Sequence, residues 1–105
     1  MIKESFVTKK DSGYDQIMRF TYTKHVVKKM KFLEQLGITI SKIMIEEAVN
    51  NPLDLDMETD KPRIIASAKL NSDHILRDVY KVESDIMVII TCYPAKKGRY
   101  FKYEN

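Results

Sequence analysis

The residues best suited to chemistry lie at the C-terminal end. The stretch IITCYPAKKGRYFKYEN runs from an apolar strand, Val88 to Ile90, through Cys92 and Tyr93 into Lys96, Lys97, Arg99, Tyr100, Lys102 and Tyr103. Cations at that density neutralise phosphates, and phenol rings among them can stack on unpaired bases. Such a set can cut RNA without a metal, because the substrate's own 2′-hydroxyl is the nucleophile. The protein then supplies a base, cations for the developing charge and a donor for the leaving oxygen. Tyrosine, lysine and arginine can divide those tasks. The same composition also makes a plain solubilising terminus.

Two histidines are available as proton acceptors. His25 falls in the first turn of a helix, where the dipole favours an uncharged ring able to take a proton. That suits a general base, and equally a histidine hydrogen-bonded to a neighbouring strand. His74 follows Asp73, but adjacent strand residues point to opposite faces, and Asn71, Ser72 and Asp73 together read as a turn. Cys92 lacks the local signature of a catalytic thiol and reads as a small buried hydrophobe. No Cys/His cluster has zinc spacing, and no phosphate loop is present, so neither a metal nor a cofactor is expected.

Elements must hold these groups in place. Arg19 to Tyr22 is short and aromatic, as a strand would be. Thr23 caps a helix whose apolar face is Val26, Met30 and Leu33, with Lys24, Lys28 and Lys31 on another face. Gly37 stops it by accepting a left-handed backbone. Ser41 caps a second helix with Ile45, Ala48 and Val49 as its stripe, ending near Asn50 because Pro52 disfavours helical geometry at Asn51. Four strands then follow: LDLDMETD up to Met57, RIIASAKL, HILRDVYKV and IMVIITCY. The last is apolar at both parities and so central. In the third, Arg77 and Lys81 share a side with Ile75 and Val79, as the floor of a partly polar groove or as ordinary solvent-facing cations. The fold class is α+β: one domain over residues 1–105, with two helices on one face of an antiparallel sheet of four to five strands. Residues 1–18 form an extra strand or an arm.

Composition bounds the rest. The chain has 105 residues, 44% hydrophobic and 31% charged, an ordinary globular mix. Its single cysteine makes no internal disulfide, and no apolar stretch is long enough to span a membrane. A cytoplasmic protein is expected. Net charge is +3, but Lys and Arg outnumber Asp and Glu by 8 to 4 over residues 1–35 and by 8 to 5 over 63–105, against 2 to 6 over 36–62. Basic ends around an acidic middle are consistent with a polyanion site built from both termini.

The segments YTKHVVKKM, GITISKIMIEEAVNNP, HILRDVYKV and MVIITCYPAKKGRY together resemble a group of small prokaryotic proteins related to the RelE/BrnT-type toxins of toxin–antitoxin pairs. The resemblance covers most of residues 20–100. It implies a helix pair on an antiparallel sheet and ribonuclease activity, often on ribosome-bound mRNA. By position it selects His25, Arg77, Tyr93 and the segment from Lys96 to Tyr100. The resulting assignment makes His25, Arg77, Tyr93 and Arg99 catalytic, with Lys24, Lys28, Lys81, Lys96, Lys97 and Tyr100 binding nucleic acid. It also implies an acidic antitoxin covering the basic groove. Asp78 departs from the pattern: an apolar residue is expected there, and a carboxylate beside the strand arginine would weaken anion binding. The alternative function is a non-catalytic domain that binds a protein or nucleic acid through its basic face.

Overall fold

The computed structural model describes the backbone of residues 3–11 and 14–100 and the side chains of residues 19–98. Strands β1 (Lys3–Asp11) and β2 (Tyr14–Tyr22) form a hairpin, followed by helices α1 (Lys24–Gln35) and α2 (Lys42–Asn50). Four strands follow, β3 (Asp54–Asp56), β4 (Ile64–Lys69), β5 (His74–Glu83) and β6 (Ile86–Lys96), and then a single turn of helix, α3 (Lys97–Tyr100). The N-terminal segment expected as a strand or an arm is thus a strand, paired with β2 along its whole length.

Both helices begin and end where local chemistry dictates. The Thr23 hydroxyl accepts from the Val26 amide at the start of α1, and Ser41 accepts from Met44 at the start of α2. Gly37 adopts φ 87°, and the amides of Gly37 and Ile38 turn back onto the carbonyls of Glu34 and Leu33. That pattern satisfies the last carbonyls of α1, and it needs a residue tolerant of the left-handed region.

The sheet differs from the antiparallel one that the sequence predicts. It has six strands in the order β1-β2-β6-β5-β4-β3 and is mixed. The four later strands do form an antiparallel meander, but β6 then lies parallel to β2, with Arg19 to Tyr22 in register with Ile86 to Ile89. Being apolar on both faces, β6 is best buried in the middle of the sheet. The helix pair and three strands separate it from β2 in sequence, enough chain for a parallel crossover. The first strand of the meander is also shorter than its alternation predicts. It stops at Asp56, whose carboxylate accepts from the amides of Glu58 and Thr59 and bends the chain into a turn.

The core lies between the sheet and the helices. Phe20, Tyr22, Leu76, Tyr80, Ile89, Cys92 and Ala66 pack from the sheet against Val26, Leu33, Ile45 and Val49. Burying residues of this size contributes roughly 1.5–3 kcal/mol each, which binds the helix layer to one face. A β-bulge sets what the other face carries. The register slips between Val79 and Tyr80, which pair with Thr91 and Ile89, so Ile90 is the extra residue. Beyond the bulge, Cys92 stays on the helix side with Ile89, while Thr91 and Tyr93 share the opposite face with Val88 and Ile86.

Candidate functional site

The face away from the helices gathers Arg77, Tyr93 and Lys81 of the residues singled out from the sequence, with His25 reaching it from α1. Arg77 on β5 lies opposite Tyr93 on β6 and Ser67 on β4. Its Nε donates to the Tyr93 hydroxyl at 2.9 Å, and its NH1 donates to Ser67 Oγ at 3.2 Å. The guanidinium also lies 5.8 Å from the centre of the Tyr93 ring. Arg77 is only 6% exposed. A cation that deep needs such partners, since removing it from water otherwise costs several kcal/mol. Because Tyr93 accepts from Arg77, its own O–H remains able to donate elsewhere.

His25 reaches the same face from α1. Its Nε2 is 3.1 Å from Thr91 Oγ1, the direction of donation depending on the ring's tautomer. Thr23 anchors this approach: its hydroxyl accepts from Val26 while donating to the Ile90 carbonyl at 3.0 Å, and its amide donates to Ile89. The bulged residue therefore receives the start of α1. Thr91 and Tyr93 are two positions apart on one strand face, about 7 Å. His25 and the Arg77–Tyr93 pair are thus attached to successive outward positions of β6.

Beyond Thr23 a cleft of about 650 Å³ opens on the same face, lined by Thr21, Lys81, Glu83, Ile86, Val88 and Ile90. Lys81 is held at 2.7 Å by Glu83, so this expected phosphate ligand is already paired. Lys24 and Lys28 are exposed on α1. Lys96 is exposed at the end of β6 and in register with His74. The Lys97 amide donates to the Asp73 carbonyl, which fixes the start of α3 at the end of the sheet where β5 begins. Arg99 and Tyr100 lie in α3 by backbone, and their side chains fall outside the described residues, as does the whole of Tyr103.

Asp78 corrects the sequence reading. It follows Arg77 on a strand, so its carboxylate points to the opposite face, beneath the helices, and does not confront the arginine's ligands. It is fully buried, and neither carboxylate oxygen has a hydrogen-bond partner. Burial pushes its pKa up from 3.8 to about 8. Cys92, its partner in register, is also buried, as the sequence predicts, and burial and then Asp78 push its thiol up to about 12. Burial and the same carboxyl raise Tyr80. On the open side, by contrast, Asp56 is held at about 2, first by the Thr59 amide and weakly by Arg77.

Sequence reasoning missed Ser67 and Thr91, which hold Arg77 and His25. Strand parity alone points to Ser67, the polar residue in the middle of β4. The bulge that aligns Thr91 carries no glycine or other mark. Among the described residues, no three His, Cys, Asp or Glu side chains converge as a metal site would require. No helix among them is long and apolar enough to cross a membrane.

No protein-family model matches the chain, and neither the curated proteins nor the solved structures contain a significant match.

Proposed function

We propose that the chain is an RNA-binding domain that cuts RNA through the substrate's 2′-hydroxyl, in the manner of the RelE/BrnT-type toxins. The observation that carries this reading is the contact between Arg77 and Tyr93 beside the His25–Thr91 contact on one strand face. His25 takes the 2′-hydroxyl proton, and the oxygen attacks the adjacent phosphorus. Arg77 offsets the charge that builds on the phosphoryl oxygens. Tyr93 gives its proton to the departing 5′-oxygen, so the products are a 2′,3′-cyclic phosphate and a 5′-hydroxyl. A proton returned from water resets the tyrosine, and His25 releases the one it took. Lys24, Lys28, Lys96, Lys97 and Arg99 would guide the polyanion, and Tyr100 would stack on a base. The substrate is mRNA, including ribosome-bound mRNA, and the partner is an acidic antitoxin that covers the basic face.

Two helices over one sheet face support the kinship, while the parallel β2–β6 pair stands apart from the all-antiparallel sheet it implies. A second reading is favoured by the burial of Arg77 and its two hydroxyl partners, which equally suit a structural cation. In that case the domain binds a partner through its basic face and catalyses nothing.

Expression in cells separates the two. The intact chain should arrest growth and fragment RNA, whereas a chain carrying Tyr93→Ala and Arg99→Ala, soluble at equal level, should do neither. Unaffected growth and intact RNA with the soluble intact chain would remove the ribonuclease reading.

A further inference from the structure

The buried carboxyl directly behind the candidate site has no role in the chemistry above. Asp78 and Cys92 form the ladder rung next to Arg77 and Tyr93, the first pair facing the helices and the second facing outward. We propose that Asp78 is a proton-operated lock: protonated, it lets the helix layer close on the sheet, and on losing its proton it loosens that layer and the rung that holds Arg77.

Geometry supports this in three ways. The Asp78 side chain is wholly buried, and neither oxygen receives a hydrogen bond. A carboxylate placed so would keep its full desolvation cost, whereas a neutral carboxyl keeps only a small part. Among the described residues, no hydrogen-bond donor reaches it. On its own strand and face it has Tyr80, with Leu76 on the other side. Cys92 faces it from β6, while β4 offers Ala66 in register and no titratable group on that face. From α1 the charge of Lys29 is felt at Cys92. From α2 the buried titratable group is Glu46, already bound by the Tyr22 hydroxyl of β2, whose ring lies 5.0 Å from Lys42 Nζ. Arg77 lies behind, across the sheet.

The carboxyl is accordingly shifted from 3.8 to about 8. The sign follows from proton counting. Between about 4 and 8 the folded chain holds a proton that the unfolded chain has released, so rising pH favours unfolding. Each pH unit in that window lowers the folded-to-unfolded ratio about tenfold, and above 8 the slope from this group ends. Ionisation of the folded state itself, and with it the loosening, belongs near pH 8.

The lock rests on Asp78 and its neighbours alone, while its bearing on RNA rests on the reading above. Carbon-13 NMR of the Asp78 carboxyl in the intact chain should show a midpoint near 8. Amide signals of α1 and α2 and the Arg77 Nε–H signal should move with the same midpoint. The fall in unfolding midpoint from pH 5 to 8 should be smaller in Asp78→Asn than in the parent chain. An Asp78 carboxyl that titrates near 4, or an Asp78→Asn chain that keeps the parent's pH slope, would overturn the lock. If the variant does not fold, the carboxyl titration and the Arg77 signal in the parent decide it. If RNA is cut at no pH, the ribonuclease reading falls and those two signals still decide the lock.

Discussion

Tyr93 and Arg77 define the site at the scale of single residues. Tyr93→Phe removes one acceptor and leaves a buried guanidinium N–H unmatched. It should lower stability by roughly 1–3 kcal/mol, measured by denaturant unfolding. Ser67→Ala should cost a similar amount through the other end of the guanidinium. If the proposed chemistry holds, only Tyr93→Phe should also abolish proton delivery to the leaving oxygen, so its cleavage rate should fall on the order of a hundredfold. Equal losses of rate in both variants would make the tyrosine a structural partner. Cys92 supplies a residue-scale control. Buried and held as the thiol, it should resist a thiol reagent in the native chain and react once the chain is unfolded. Rapid native modification would contradict the packing described for β6.

At the scale of elements, the turn between α1 and α2 sets how the helix pair lies on the sheet. Gly37 has φ 87°, and an added Cβ would meet nothing within 4 Å, so a Gly37→Ala change tests backbone strain without a clash. It should destabilise by about 1–2 kcal/mol. Ser41→Ala, which removes the cap of α2, should cost about 1 kcal/mol by the same measurement. These elements were legible because their signals are local: a capping hydroxyl, a 3.6-residue stripe and a glycine stop. The strands from Ile64 onward were legible for the same reason, with the turn at Ser84 and Asp85 falling beside Glu83 as expected. What alternation could not supply was pairing. The period of β6 marks it as central, but not as the parallel neighbour of β2, and the Ile90 bulge breaks the parity from which Tyr93 would be placed. The contact of Tyr93 with Arg77 therefore depends on a register slip that the sequence does not announce. For Asp78 strand parity is the better guide than the resemblance: successive strand residues part to opposite faces, which sets its carboxylate away from Arg77.

Taken as a whole, the molecule divides its labour between two sheet faces. One carries the helices, with Asp78 and Cys92 among its aliphatics. The other carries Arg77, Tyr93, Thr91 and the cleft above Val88. The uneven charge visible in the sequence has a structural counterpart, since four of the six acidic residues of 36–62, Asp54, Asp56, Glu58 and Asp60, lie in edge strand β3 and the turn after it, away from β6 and α3. Exposed Leu53, Leu55 and Met57 share that edge. The most direct test of the central claim uses the purified intact chain and a single-stranded oligoribonucleotide, with mass spectrometry of the fragments. The account predicts fragments ending in 2′,3′-cyclic phosphate and 5′-hydroxyl, formed in the presence of a metal chelator and lost when the ribose at the cut carries no 2′-hydroxyl. An uncut ribonucleotide, or equal cutting of the 2′-deoxy version, would contradict it.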